Sequence, residues 1–223
     1  MLNSRQFDYL EIAIVGCGSI GSFLTLGLTK LGFKNFILID DDKVEPHNIP
    51  TQYYEEDQIG EQKVEALSDN LEGEFTCYPQ KLFPTNKINA DAVFICVDSL
   101  KQRKAIVKAV LDSYEQYGKP KLIIDGRMHR LVFRVFTIPI NQHKILQQYV
   151  QSTLEKEFEG ACTEKGIIQN IFGVTALMIE QFRKVLTGQD FHAIINFDLE
   201  HLTSISSQPT TSKRNNNEKT NQD

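Results

Sequence analysis

The stretch "VGCGSIGS", residues 15–22, carries three glycines at the spacing G-x-G-x-x-G, directly after the apolar run "EIAIV" (11–15). A short β-branched apolar run is typical of a strand that is buried on both faces. In a strand–turn–helix unit, Gly16 permits the tight turn, Gly18 lets the backbone approach a phosphate, and Gly21 lets the helix pack closely. The pattern therefore predicts a nucleotide-binding βαβ unit.

The residues that follow complete this unit. Apolar residues recur at helical spacing from Ile20 to Leu31, and Gly32 is placed to end the helix. The run "NFILID" (35–40) is predicted as a second strand, and Asp40 at its end suits a ribose hydroxyl. The glycine loop and Asp40 alone do not distinguish NAD from ATP.

Beyond this unit, helices and strands alternate until the pattern changes. We predict helices at 60–71, 99–118, 142–154 and 166–188, and strands at 91–97, 121–125, 129–138 and 191–199. Polar and apolar residues alternate in 129–138, which indicates an antiparallel strand. The polar, low-complexity segment 206–223 is predicted as a disordered tail. The predicted fold is α/β and Rossmann-like: a doubly wound parallel sheet with a mixed or antiparallel continuation, in one domain over 1–205.

Composition limits the class of protein. The 223 residues suffice for one α/β domain, and a net charge of −5 gives no reason to expect a nucleic-acid or membrane partner. No apolar run approaches the ~20 residues that cross a bilayer, and the N-terminus lacks signal-peptide features, so we expect a cytoplasmic protein. No C-x-x-C pair occurs, so we expect free thiols and no zinc. The four cysteines are Cys17, Cys77, Cys96 and Cys162.

A polar segment after the second strand, "IDDDKVEPHNIPTQYYEEDQIGEQKVEAL" (39–67), has no counterpart in an ordinary dehydrogenase. Its polar residues of interest are Asp40, Asp42, Asn48, Gln52 and Lys63. A lysine near phosphates stabilises charge on a phosphoryl group under attack, whereas hydride transfer has no use for it. The alternative for Lys63 is a surface lysine on a helix.

Several motifs resemble those of the ThiF/MoeB-type adenylyltransferases, relatives of the ubiquitin-activating enzymes. They are "DDDKVEPHNIPTQ" (40–52), "IGEQK" (59–63), "VDSLKQR" (97–103) and "CTEKGIIQNIFGVTALMIEQFRKVL" (162–186). The resemblance implies an ATP- and Mg²⁺-dependent enzyme that converts a carboxylate to an acyl-adenylate and releases pyrophosphate. The usual substrate in this family is the C-terminal glycine of a small ubiquitin-like or sulfur-carrier protein, and a peptide is also possible. Homodimers are common, and we expect 166–188 and 129–138 to supply the interface.

The resemblance also implies roles for single residues. Those expected to bind the nucleotide are Gly16, Gly18, Ser19, Gly21, Asp40, Asp42, Gln52 and Ser99. Asn48 and Lys63 are expected to face the phosphates, as is Gln52. Asp98 is expected to hold Mg²⁺, because a carboxylate suits a hard cation that also touches phosphate oxygens. The alternative for Asp98 is a helix cap before "SLKQR".

Two positions depart from the family pattern. Thr51 stands where an arginine is usual, and Ser19 where a glycine is usual. We expect Arg127, just after a strand, to replace a phosphate-facing arginine; the alternative is a surface salt bridge. Cys162 is interpreted as a packing residue more readily than as a thioester nucleophile.

Two other functions fit part of the pattern. A non-catalytic relative that binds nucleotide or a carrier is favoured by Thr51. An NAD-dependent oxidoreductase is favoured only by the glycine loop and Asp40.

Overall fold

The computed structural model describes residues 7–153 and 168–207. The strands are β1 (Glu11–Val15), β2 (Asn35–Ile39), β3 (Glu74–Tyr78), β4 (Ala92–Ile95), β5 (Leu122–His129), β6 (Val132–Pro139), β7 (Ile194–Asp198) and β8 (Thr203–Ser207). The α-helices are α1 (Ser19–Lys30), α2 (Lys63–Asp69), α3 (Leu100–Tyr117), α4 (His143–Ser152) and α5 (Ile168–Leu186). The strands form one sheet in the order β3-β2-β1-β4-β5-β6-β7-β8.

The first five strands in this order are parallel. The chain starts at β1, moves outward to β2 and β3, and then returns to place β4 on the other side of β1. Val15, at the end of β1, is level with Ile39 of β2 and Ile95 of β4. A crevice for ligands forms outside the carboxyl ends of strands where the strand order reverses in this way. The predicted doubly wound parallel half is confirmed.

The remaining strands are antiparallel, as the alternation in 129–138 predicts. β5 continues to His129, beyond the predicted end at residue 125, because it pairs with β6 along its whole length. β3 and β8 were not predicted. β8 includes Ser206 and Ser207, so the tail boundary predicted at residue 206 is wrong by at least these two residues. The rest of the predicted tail, 208–223, lies outside the described residues.

Helices cover both faces of the sheet and bury two apolar clusters. On one face, Leu24 and Leu28 of α1 and Phe182 of α5 pack with Ile12 and Ile14 of β1. The other face is covered mainly by α3 and α4. Burying each such side chain stabilises the fold by about 1.5–3 kcal/mol, so the glycine loop sits on a rigid base. Within the described ranges, no helix combines the length and the apolar character that a membrane crossing requires.

Candidate functional site

A crevice of about 850 Å³ opens at the carboxyl ends of β1, β2 and β4. Its volume is in the range of about 300–1,000 Å³ that is usual for ligand sites. Ten of the twelve predicted site residues line it: Gly16, Gly18, Ser19, Asp40, Asp42, Asn48, Gln52, Lys63, Asp98 and Arg127. Gly21 and Ser99 are outside this lining. The fold therefore brings together residues that are up to 111 positions apart in the chain.

The glycine loop has the close contacts that its spacing predicts. Gly16 has φ +93°, and a Cβ there would lie 2.8 Å from the carbonyl group of Cys96. A Cβ on Gly21 would lie 1.9 Å from the carbonyl oxygen of Gly16, so α1 packs directly on the loop. At Gly18 a Cβ would meet no atom within 4 Å, which leaves the backbone open to a ligand.

The N-terminus of α1 faces this opening. The helix begins at Ser19, and Gly18 at the cap position supplies no side-chain hydrogen bond. Ser22 N donates to Gly18 O at 2.9 Å, which is the hydrogen bond that closes the first turn. Amides at the start of a helix have no partner inside it, and the helix dipole adds partial positive charge. This end of the crevice therefore favours an anion such as a phosphate.

Asp40 holds the glycine loop as well as lining the crevice. Its Oδ2 accepts a hydrogen bond from Cys17 N at 2.6 Å, and its Oδ1 accepts one from Asp42 N at 2.8 Å. Burial raises the pKa of the Asp40 carboxyl, and these two hydrogen bonds partly offset that rise. An ionised carboxylate has about four acceptor sites, so Asp40 can still accept a ribose hydroxyl.

Lys63 opens α2 and is buried, with 7% of its side chain exposed. Its ammonium lies 2.9 Å from Oδ2 of Asp42, whose side chain is 63% exposed. The backbone N–H of Lys63 also donates to Asp42 O at 3.0 Å. The alternative of a solvated surface lysine is wrong, because the segment after β2 holds this ammonium against the crevice wall.

Asn48 and Gln52 belong to the loop between β2 and α2. Asn48 Oδ1 accepts from Glu45 N at 2.9 Å, and Thr51 N donates to Asn48 O at 3.0 Å, so Asn48 shapes the loop. Among the described residues, the buried Oε1 of Gln52 has no hydrogen-bond partner. Such an orphaned acceptor beside a crevice can be satisfied by a donor on a ligand.

Asp98 follows β4 and is exposed at the crevice. The cap of α3 is Ser99, whose Oγ accepts from Gln102 N at 3.4 Å. The alternative of Asp98 as the helix cap is therefore wrong, and Ser99 gains no support as a nucleotide ligand. An exposed carboxylate that faces the anion-favouring loop fits Mg²⁺, which is usually held by one or two carboxylates together with phosphate oxygens.

Arg127 forms a salt bridge, as the alternative holds, but the pair is buried and does not lie on the surface. Its Nε donates to Oδ2 of Asp125 at 2.9 Å, and its guanidinium lies 4.5 Å from the ring centroid of Phe136. A terminal nitrogen lies 3.3 Å from Oγ of Ser152. Arg127 thus lines the crevice while its guanidinium is also ion-paired with Asp125 and packed on Phe136.

Two members of this buried cluster were missed by the sequence analysis. Asp125 is fully buried, and Arg103 of α3 pairs with its Oδ1. Arg103 also donates to the carbonyl oxygens of Val97 and Gly126, the latter at 3.2 Å. One signal was present: Arg103 falls on the same helical stripe as the inward residues Ile106 and Val107.

Three consecutive carboxylates, Asp40, Asp41 and Asp42, bring oxygen atoms within 4.8 Å of one another. Two of them are paired with lysines, Asp41 with Lys81 at 3.2 Å and Asp42 with Lys63. These two ion pairs offset part of the negative charge of the cluster. Cys162 lies outside the described residues.

The sequence model of the ThiF family matches residues 4–220. Ubiquitin-like modifier-activating enzyme 5 of Caenorhabditis briggsae is 43% identical over 70 residues, which cover 30% of this chain and 16% of that protein. The protein of the same name from Oryza sativa subsp. japonica is 30% identical over 119 residues, 50% of this chain and 28% of that one. The matched region thus spans less than a third of these curated relatives.

Solved structures show the same fold. MccB of E. coli, solved with ATP, has a TM-score of 0.68 at 16% identity, over 92% of this chain and 65% of that chain. PaaA has a TM-score of 0.70 at 16% identity, over 92% of this chain and 66% of its own. These likenesses agree with the α/β architecture that the glycine loop predicts.

Proposed function

The chain belongs to the ThiF family, and from this premise we propose that it is an ATP- and Mg²⁺-dependent adenylyltransferase. Its substrate is the C-terminal carboxylate of a small ubiquitin-like or sulfur-carrier protein, or of a peptide. The observation that supports this proposal most strongly is that one crevice combines a helix N-terminus that favours anions, a buried lysine and an exposed aspartate. The names of the relatives, and the structures of MccB with ATP and with MccA, support this proposal.

In the proposed reaction, a carboxylate oxygen of the substrate attacks the α-phosphorus of ATP. The bond from that phosphorus to the α,β-bridging oxygen breaks, pyrophosphate leaves with the electron pair, and an acyl-adenylate remains. Asp40 holds the ribose, and the glycine loop with the start of α1 binds the phosphates. Lys63 offsets charge that builds on the α-phosphoryl group, since a fixed cation in a partly buried site acts strongly there.

The other site residues orient the reactants. The side-chain N–H groups of Asn48 and Gln52 donate to phosphate oxygens from the loop after β2, and Asp42 fixes the ammonium of Lys63. Asp98 would hold Mg²⁺, which when bound neutralises phosphate charge. Arg127 faces the phosphates from β5. It replaces the arginine that the family usually has at the position of Thr51.

A homodimer is part of the proposal, with α5 at its interface. Phe172 of α5 is 53% exposed, and its ring lies edge-on to that of Phe23 at 5.3 Å. Tyr53 packs next to them, with its ring centroid 6.0 Å from that of Phe23, so the three rings form one aromatic surface patch. Strand β6 does not offer the interface predicted for it, because it lies between β5 and β7 and most of its residues are buried.

Pyrophosphate exchange tests the proposed reaction. Purified protein, ATP, labelled pyrophosphate and a carrier or peptide that ends in Gly-Gly should yield labelled ATP. Asp98→Ala should abolish this exchange. A non-catalytic relative, which Thr51 favours, would bind ATP without any exchange.

A thermal shift separates ATP binding from NAD binding. A ligand at 100 times its dissociation constant stabilises the folded state by about 2.7 kcal/mol, which raises Tm measurably. ATP with Mg²⁺ should raise Tm and NAD should not. A shift with NAD alone would instead favour the oxidoreductase.

A further inference from the structure

A closed circuit of polar contacts links the glycine loop to Lys63. Cys17 N donates to Oδ2 of Asp40, and Oδ1 of Asp40 accepts from Asp42 N. The side chain of Asp42 then accepts from the ammonium of Lys63. The circuit closes through Tyr54, whose hydroxyl lies 2.6 Å from Cys17 O and 3.4 Å from Lys63 O.

Tyr54 is the member of this circuit that the sequence analysis did not consider. It is 4% exposed and lies 37 positions after Cys17 and nine before Lys63. Both neighbours are backbone carbonyl oxygens, and the single proton of the phenol is donated to the nearer one, Cys17 O. Burial raises the pKa of the Tyr54 hydroxyl far above its ordinary value, so this donor stays protonated.

The two backbone groups of Cys17 are thus held from opposite sides. Its N–H is bound to the carboxylate of Asp40 at 2.6 Å, and its carbonyl is bound to the hydroxyl of Tyr54 at 2.6 Å. Cys17 lies between Gly16 and Gly18, which line the crevice. Glycines leave a loop free to move, so two short hydrogen bonds here restrict it to one conformation.

We propose that Tyr54 is a positioning residue that fixes the glycine loop and Lys63 relative to each other. This inference rests on the proposed adenylation, because it assigns Tyr54 no contact with substrate. Its hydroxyl donates to Cys17 O on the phosphate-binding loop and lies 3.4 Å from Lys63 O at the start of α2, so Tyr54 sits between the two elements. Preorganised groups act on a transition state at no cost in reorganisation, so loss of the hydroxyl should slow the reaction without altering its chemistry.

The test compares the wild type with Tyr54→Phe, which lacks only the hydroxyl, and with Tyr54→Met, which lacks the ring as well. Tyr114→Phe is the matched control, because Tyr114 is a half-buried tyrosine of α3 that packs on the opposite face of the sheet. Both Tyr54 variants should lose about tenfold in kcat/KM of pyrophosphate exchange, as expected when a buried carbonyl loses its donor. The control should keep the wild-type rate.

A double-mutant cycle separates positioning from a merely structural role. If Tyr54 acts through Lys63, the cost of Tyr54→Phe should shrink at least severalfold when Lys63→Met is already present. Equal costs in both backgrounds would overturn the inference, and so would full activity of Tyr54→Phe. ATP affinity, measured by calorimetry without any acceptor, should also fall in Tyr54→Phe.

The same calorimetry tells failure of this inference apart from failure of the proposed function. A wild type that binds ATP and exchanges pyrophosphate, together with a Tyr54→Phe variant equal to it in both, overturns the role of Tyr54 alone. A wild type that does not bind ATP overturns both proposals.

Discussion

The ammonium of Lys63 lies 2.9 Å from a carboxylate oxygen of Asp42, although the lysine is buried and the aspartate is largely exposed. The exposed carboxylate of Asp42 thus contacts the buried ammonium of Lys63 from the solvent side and keeps it at the crevice wall. Removing Lys63 leaves no buried charge without a partner, because the carboxylate that remains is solvated. Effects on activity and on stability can therefore be separated at this position.

We predict that Lys63→Met lowers the rate of pyrophosphate exchange by about 100-fold, the usual cost of one lost donor to developing charge. Its Tm should change little. Lys43→Met is the matched control, since Lys43 is exposed in the same segment. An unchanged exchange rate in Lys63→Met would show that the lysine has no part in catalysis.

Asp98→Asn should raise the Mg²⁺ concentration that gives half-maximal exchange by about 100-fold or more. Even substitutions of residues that only contact a metal ligand lower metal affinity by about 10–100-fold. An amide keeps the shape of the side chain but loses the charge that attracts the cation. Asp57→Asn, at an exposed position of the loop before α2, should leave the Mg²⁺ dependence unchanged. The same Mg²⁺ dependence in both variants would remove Asp98 from the site.

Asp125 supports the fold through its position between two buried arginines, Arg103 and Arg127. Asp125→Asn leaves both guanidinium groups without their carboxylate, which should lower the free energy of unfolding by about 3–5 kcal/mol. Denaturant unfolding measures this loss. The half-exposed Asp112, which pairs with Lys108, provides the control, and Asp112→Asn should leave the midpoint almost unchanged. Equal midpoints for the two variants would contradict a structural role for Asp125.

The β7–β8 turn should show a pH dependence that is unrelated to catalysis. His201 Nδ1 lies 2.8 Å from Oδ2 of Asp198, and this hydrogen bond raises the pKa of His201 above its ordinary 6.5. Because folding raises the pKa of His201, the protonated histidine stabilises the fold at pH values below its ordinary pKa. This stabilisation is lost as the pH rises through the raised pKa. The wild type should thus exceed His201→Gln in Tm below pH 6.5, with the gap closing at higher pH. A gap that is constant with pH would refute this pairing.

The sequence predicts best those elements whose residues form a recognisable pattern within a short stretch of the chain. Gly16, Gly18 and Gly21 follow a buried apolar run; Gly16 and Gly21 have a steric reason to stand where they do, and Gly18 leaves the backbone open. β3 and β8 were missed because they are edge strands. β3 alternates half-buried and exposed positions and β8 is exposed throughout, so neither carries a continuous apolar run.

The sequence predicts some charged residues of the candidate site but not the contacts between its residues. Lys63 and Asp98 stand in recognisable motifs, and the fold brings them to one crevice. The hydroxyl of Tyr54 bonds to Cys17 across 37 positions, and Asp125 pairs with Arg103 across 22. Such contacts depend on which strands and helices adjoin, so a local pattern does not reveal them.

The central claim is that this crevice joins a carboxylate to the α-phosphorus of ATP. A peptide that ends in Gly-Gly, with ¹⁸O in its C-terminal carboxylate, tests it directly. After reaction with ATP and Mg²⁺, release of the acyl group by hydroxylamine leaves AMP, which mass spectrometry can weigh. We predict AMP that carries one ¹⁸O atom from the peptide. Unlabelled AMP, or ADP and phosphate in its place, would contradict the account.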